Sequence, residues 1–373
     1  MSSVKKIFIV GGTGAQGIPV VRGLVANNGY AVRILTRDPT SRRAQDLVAL
    51  DPAKVELFQG SFTSEADLRN GYTGCDGAFI NIDGFATGEK GELYWATRAY
   101  ELAIESGITF YVYGNIEFTY KKSGYRPEFR AGHMDGKGRI GEWLLFQHTS
   151  NKGQAYYNDM KLAIFTTGPY IEMAISANTT MSPRIEQTAE GEQVATWRVP
   201  LTANGAVPHV SLDDCGYYVR WLFDHPAEAD GRDLQVAIEH VRYADLAAAF
   251  EKVTGHKARF IDTDMETYWL DGPMSSIRDD PAGYLADAAD PATMNVKENF
   301  TGFWNIFRAS GGNTGLARRD YALLDEIFPG RIRSVEQFFR RQDEKARERG
   351  SSLWDMVLEM QPVLKNHEDM RRN

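Results

Sequence analysis

Lys137, in the stretch His133-Met134-Asp135-Gly136-Lys137-Gly138, stands just ahead of a helical segment (138–147) that follows the apolar run ITFYVYGN. A lysine in that position can hold a sugar hydroxyl or exchange a proton itself, since burial and neighbours readily shift an ammonium. His133 lies four residues earlier, where an imidazole could relay a proton near neutral pH. Glycines on both sides of Lys137 leave the helical pairing of the two open, and a structural or loop histidine is an equal reading. Tyr113 and Tyr170 close two apolar runs and are further proton-donor candidates, with packing aromatics as the alternative.

These groups need a partner that carries chemistry, and the segment IFIVGGTGAQG (7–17) points to it. Four apolar residues run into a glycine-rich turn, and Ala15 to Ala26 then reads as a helix with Val20, Val21, Leu24 and Val25 on one stripe. Gly11, Gly14 and Gly17 allow a sharp turn and close approach, and the helix N-terminus favours an anion such as a pyrophosphate. Thr13, Ala15 and Gln16 complete this contact set. A second apolar run, YAVRILT (30–36), is followed by Arg37, twenty residues beyond Gly17, with Arg42 and Arg43 close behind. Guanidinium at that point suits a 2′-phosphate and favours NADP(H). Asp38 is the counter-signal, because a carboxylate turned inward would take the ribose hydroxyls of NAD.

Stepping outward, apolar runs alternate with helical ones: KVELFQG, DGAFINI, ITFYVYGN and KLAIFTTGPY. Strands apolar on both faces imply a parallel sheet covered on both sides, the Rossmann doubly wound α/β class. Ligands in such sheets bind at the carboxyl ends of the strands, which selects Gly60, Ser61, Asn81, Ile82, Asp83, Tyr113 to Asn115, Gly168, Pro169 and Tyr170. The expected organisation is an NADP-binding domain over 1–167, completed by about 205–225. Residues 168–204 and 226–373 then form a smaller α+β substrate lobe with a helical C-terminal extension. VPHVSLDDCGYYVRWLFDHP reads as the strand and capped helix that rejoin the first domain. The region from 264 to 307, rich in Asp, Pro, Met and aromatics, could wall a pocket for a bulky apolar substrate or be an ordinary packed extension.

Composition bounds the rest. With 42 basic and 50 acidic residues the net charge is −8, which argues against nonspecific nucleic-acid binding. Cys75 and Cys215 are too few for a disulfide framework or a cysteine metal cluster. The seven histidines show no metal-ligand spacing, so no metal is expected. No apolar run approaches the ~18 residues of a membrane span, and the expected location is cytoplasmic. The helical stretch RSVEQFFRRQDEKARERG reads as a solvated face rather than a nucleic-acid site.

GGTGAQG, LTRDP, VELFQG, HMDGKG and the GPYIEM segment together resemble the NmrA-like family, the atypical branch of the short-chain dehydrogenases, over about residues 4–262. RRDYALLDEI and the aromatic tail look like fungal members associated with secondary metabolism. The resemblance implies a Rossmann fold, NADP binding and one of two occupations: reductase, or redox-sensing regulator that binds nucleotide and a protein partner without turnover. It carries Gly11 to Gly17, Arg37, Lys137 and the segment around Tyr170 over as cofactor contacts. Classical short-chain reductases pair a tyrosine with a lysine four residues on, plus a serine. Here His133 replaces the tyrosine, and the position near Gly114 has no hydroxyl. Tyr157 and Lys161 match the spacing but directly precede a strand instead of lying on the helix before it. The expectation is an NADPH-dependent reductase of a C=O, C=N or activated C=C bond in a medium-sized, aromatic substrate. A nucleotide-sensing regulator is the alternative, and a homodimer or a regulatory protein partner is left open.

Overall fold

Ile7 to Val10 are almost wholly buried, and alternate side chains point to opposite cores: Phe8 and Val10 pack with Tyr72, Tyr100 and Tyr111, whereas Ile7 and Ile9 pack with Val20, Leu24 and Val219. A strand apolar on both faces belongs in the middle of a helix-covered sheet. The computed structural model, which describes residues 5–157 and 159–364, has it there. In chain order the strands are β1 (Lys6–Val10), β2 (Ala31–Thr36), β3 (Val55–Gln59), β4 (Gly77–Ile80), β5 (Phe110–Ile116) and β6 (Lys161–Thr167). β7 (Arg184–Gln187), β8 (Gln193–Val199), β9 (Val207–His209), β10 (Arg232–Gln235), β11 (Glu239–Val241) and β12 (Ala258–Asp262) follow.

The main sheet has seven strands in the order β3-β2-β1-β4-β5-β6-β10, every neighbouring pair parallel. This is the Rossmann order with one strand added beyond β6, and its reversal beside β1 opens the crevice that ligands use. The expected strand VPHV does not enter this sheet. It becomes β9, paired antiparallel with β11, while β10, from a region expected in the other lobe, supplies the seventh strand. Its companion helix, Leu212–Asp224, packs against the Gly17–Val25 helix. A Cβ on Gly23 would lie 2.4 Å from the Gly216 carbonyl oxygen, so these two glycines let that helix meet the Gly17–Val25 helix backbone to backbone.

Two helices carry the site. Gly84–Glu105 starts just after β4 and kinks at Gly88, whose φ of 68° suits only glycine at low cost. Gly132–Asn151 starts earlier than the expected 138, so His133 and Lys137 sit one turn apart on one helix. The lobe has its own core, in which Trp197, Phe250, Trp304 and Phe338 are fully buried around β8, β12 and the helices Tyr243–Thr254, Val296–Arg308 and Val335–Arg347. Arg319 bolts it to the sheet: its guanidinium donates to Glu117 Oε2 at 2.8 Å and to the Val236 carbonyl at 3.1 Å, with both ionic side chains buried.

Candidate functional site

At the carboxyl end of β1, Gly11 takes a φ of 83°, and a Cβ there would lie 2.3 Å from the Asn81 carbonyl oxygen. A Cβ on Gly17 would lie 2.0 Å from the Gly11 oxygen, and the Gly14 amide closes the turn on that same oxygen at 2.9 Å. The cradle so formed needs glycine at positions 11 and 17, where any Cβ would strike the protein's own backbone. The Gly17–Val25 helix that follows has no acid in its first turn and no side-chain cap, a terminus suited to a bound anion. Gln16 locks the loop to neighbouring strand ends, accepting from Asn81 Nδ2 at 2.6 Å and donating to Thr167 Oγ1 at 3.5 Å. Thr13 and Gln16 are buried, whereas Gly14 and Ala15 keep partial exposure on the groove side.

Arg37 is exposed at the end of β2, and Arg43 reaches the Thr13 carbonyl at 3.5 Å. Asp38 Oδ1 instead accepts from Thr40 N at 2.8 Å and Thr40 Oγ1 at 2.6 Å, which folds that carboxylate into its own turn. Gly60 and Ser61 lie one strand further out, where Ser61 N donates to Asp67 Oδ2 at 2.9 Å.

Across the crevice, Lys137 Nζ donates to the Ile82 carbonyl at 2.6 Å and lies 3.5 Å from Asn81 Oδ1. It is also 2.8 Å from Glu92 Oε1, an ion pair rather than a well-directed hydrogen bond. Glu92 is wholly buried, and burial pushes its carboxyl up while the ammonium of Lys137 opposes the shift. The carboxylate fits only because two glycines face it: a Cβ on Gly84 would stand 2.3 Å from Oε2 and one on Gly136 3.2 Å. Asp83 caps the Gly84–Glu105 helix through Phe85 N at 3.0 Å and accepts from Tyr284 Oη at 2.9 Å.

One turn before Lys137, His133 shares a single oxygen of Asn299 between its backbone amide (3.2 Å) and its Nδ1 (3.0 Å). Its ring stacks on Phe85 at 5.0 Å and leans on Phe300 at 5.1 Å. Burial lowers its pKa to about 4, so the imidazole is neutral at pH 7. A neutral ring whose Nδ1 faces Asn299 Oδ1 favours the structural reading of His133 over that of an imidazolium donor.

Tyr113 also leaves the proton-donor set. Its side chain points into the core shared with Tyr111, Ile140 and Leu144, and its hydroxyl is buried without a hydrogen-bond partner. Burial holds that phenol well above its ordinary pKa. Tyr170 stays near the groove, partly exposed beside the bridge to Val210, with its phenol raised by burial and by the nearby acids Asp83 and Glu172. Gly168 and Pro169 lead into it. A Cβ on Gly168 would lie 2.0 Å from the Pro208 oxygen, which fixes glycine there. Tyr157 is far from this cluster in role: its hydroxyl bonds His148 Nδ1 at 2.9 Å and Tyr100 at 3.1 Å in the core.

Several residues escaped sequence reasoning. Glu92 sits mid-helix in GELYW with no spacing signal. Glu172, inside the quoted GPYIEM, accepts from Leu212 N at 3.0 Å, and burial raises its pKa to about 8. Phe85, Asn299 and Tyr284 come from segments that meet only in three dimensions. Among the described residues no group of His, Cys, Asp and Glu could hold a metal ion, and no helix is long and apolar enough to cross a membrane.

Residues 3–271 match the model of the NmrA-like family. An NmrA-like family domain-containing oxidoreductase, malD, of Malbranchea aurantiaca is 24% identical over 277 residues, covering 72% of this chain and 77% of that protein. Among solved structures, NmrA, a negative transcriptional regulator, superposes in complex with NAD at a TM-score of 0.66 and 16% identity, covering 95% of this chain and 100% of that one. Its complex with NADP gives 0.65 and 16%, covering 94% and 98%.

Proposed function

The chain belongs to the NmrA-like family, and from that premise we propose that it is an NADPH-dependent reductase acting on a C=O, C=N or activated C=C bond of a medium-sized aromatic compound. The observation that carries the reading is the meeting of two things at one strand end. Lys137 and the aromatic cluster of Phe85, His133 and Phe300 flank the crevice into which the glycine cradle opens.

The residues fit a dinucleotide. A tight loop that needs glycine at positions 11 and 17 and leads into a helix terminus free of acids suits a diphosphate. Arg37 at the end of β2, with Asp38 folded into its own turn, supports NADP over NAD. When bound, the nicotinamide supplies the hydride. Gly11, Thr13, Gly14, Ala15, Gln16 and Gly17 would hold the diphosphate, and Asn81, Ile82 and Asp83 the sugar side of the crevice. Lys137 would orient the nicotinamide ribose and hand a proton to the reduced atom. Gly168, Pro169 and Tyr170 would back the nicotinamide, with Tyr170 as a second donor. Gly60 and Ser61 border the adenine end.

A second reading keeps the nucleotide but not the turnover, and two observations favour it. Lys137 already has three acceptors within its own chain, and the serine–tyrosine pair of classical reductases is missing. Mixing the protein with NADPH and a panel of aromatic ketones, enones and imines separates the two. Absorbance loss in the wild type that vanishes in Lys137→Ala supports the reductase. Tight NADPH binding with no turnover on any compound, together with a protein partner whose affinity depends on NADP, supports the sensor.

A further inference from the structure

We propose that His133 and Asn299 form a substrate-recognition site that accepts a hydrogen bond from an N–H or O–H group carried by an aromatic ligand. The proposal follows from who can donate to whom. The backbone amide of His133 can only donate, so the Asn299 atom 3.2 Å from it is the carbonyl oxygen. That same oxygen lies 3.0 Å from His133 Nδ1, and an oxygen acceptor faces a ring nitrogen at that distance only when the nitrogen carries the proton. A neutral imidazole has one N–H. With it at Nδ1, Nε2 is a bare lone pair, and none of the described hydrogen bonds uses it.

The setting fixes both the tautomer and the shape of the ligand. Helix Val296–Arg308 delivers Asn299, and it lies hard against the chain before His133: a Cβ on Gly302 would stand 1.8 Å from the Arg130 oxygen. Asn299 is 1% exposed, so it has little room to turn its amide. The imidazole packs against both Phe85 and Phe300, whose ring planes lie within 5° of each other, while Phe85 and His133 keep partial exposure. A flat ring packs on such faces. A carbonyl or ether oxygen brought to Nε2 would meet lone pair against lone pair, whereas an N–H or O–H would be bonded.

The proposal rests on the reductase reading only in placing a small molecule beside Lys137. The test is therefore binding, not turnover. Calorimetry on the NADP-loaded protein compares two pairs of isomers: 3-methylindole against 1-methylindole for an N–H source, and 4-methylphenol against methoxybenzene for an O–H source. At least one donor isomer should bind about fivefold or more tighter than its partner. His133→Phe, which keeps a ring and loses the acceptor, should erase that preference. Asn299→Asp, which places a carboxylate on Nδ1 and favours the imidazolium, should turn Nε2 into a donor and reverse it. No discrimination in either pair, no binding of any probe at millimolar concentration, or a preference that survives His133→Phe overturns the proposal. A donor preference without hydride transfer on any substrate would instead leave it standing and sink the reductase reading.

Discussion

Tyr284 donates from Oη to Asp83 Oδ2 at 2.9 Å, joining the C-terminal extension to the cap of the helix that follows β4. The Tyr284 amide donates to the Phe85 carbonyl at 2.7 Å, Lys90 pairs with Asp290 at 2.5 Å, and Gly283 lies against the kink at Gly88. Arg37, from the end of β2, also acts on the Tyr284 phenol. The segment around Tyr284 thus straps the crevice from β4 toward β2. Tyr284→Phe should loosen the strap and speed release of NADPH by roughly three- to tenfold, the worth of one hydrogen bond. Stopped-flow displacement of bound NADPH measures it, and an unchanged release rate would mean that the strap does not cover the cofactor.

Arg37 is an exposed cation directly after β2, and Asp38 is occupied by Thr40. Arg37→Ala should weaken NADPH by about tenfold and NADH by much less, since only the former carries the third phosphoryl group. Titration calorimetry with both cofactors reads the ratio directly. Equal losses would refute recognition of the phosphate by this residue.

How much of this was visible in the chain follows from where each signal sits. The glycine cradle, Arg37 and Lys137 were legible because each is a local pattern: strand, turn, helix start and a cation at a set distance. The helix carrying Lys137 began six residues earlier than its glycines suggested, because Asp135 accepts from Ala131 N at 3.1 Å and Asn299 takes up the His133 amide. Those caps are long-range or side-chain features that periodicity does not register. Tyr113 departs from its expected role for a related reason. Position along a strand gives its end, but which face a side chain takes depends on register and on what packs there. Glu92 and Asn299 had no pattern at all, since their roles exist only once separate helices meet.

Glu172 links acidity to stability. Its carboxyl is raised from 4.5 to about 8 by burial, against the pull of the Leu212 amide. Between those two values the unfolded chain loses this proton while the folded chain keeps it, so stability falls as pH rises through that window. Glu172→Gln retains the acceptor for Leu212 N and cannot ionise in either state. The variant should match the wild type near pH 4 and exceed it near pH 8 by about 1–3 kcal/mol, allowing for screening of a partly exposed group. Urea unfolding at the two pH values tests this; parallel curves would show that the carboxyl titrates normally.

The Lys137–Glu92 pair has an asymmetry that mutation should reveal. Both groups are buried at 9% and 0% exposure, and removing one partner of a buried pair usually costs more than the pair itself contributes. The survivors differ, however. A lone ammonium at 137 would still have the Ile82 carbonyl and Asn81 Oδ1, whereas a lone carboxylate at 92 would have no other ion pair among the described residues and two buried oxygens without a hydrogen-bond partner. Burial already pushes Glu92 upward, Lys137 is the group that opposes that shift, and Asp83 and Glu89 reinforce it. In Lys137→Met the acid should therefore take up a proton on folding, and stability should fall as pH rises between pH 5 and pH 8. Adding Glu92→Gln to that variant removes the titrating group and should flatten the curve. Thermal unfolding of the single and double variants across that range decides the matter, because a loss equal at both pH values would show that Glu92 stays ionised without its lysine.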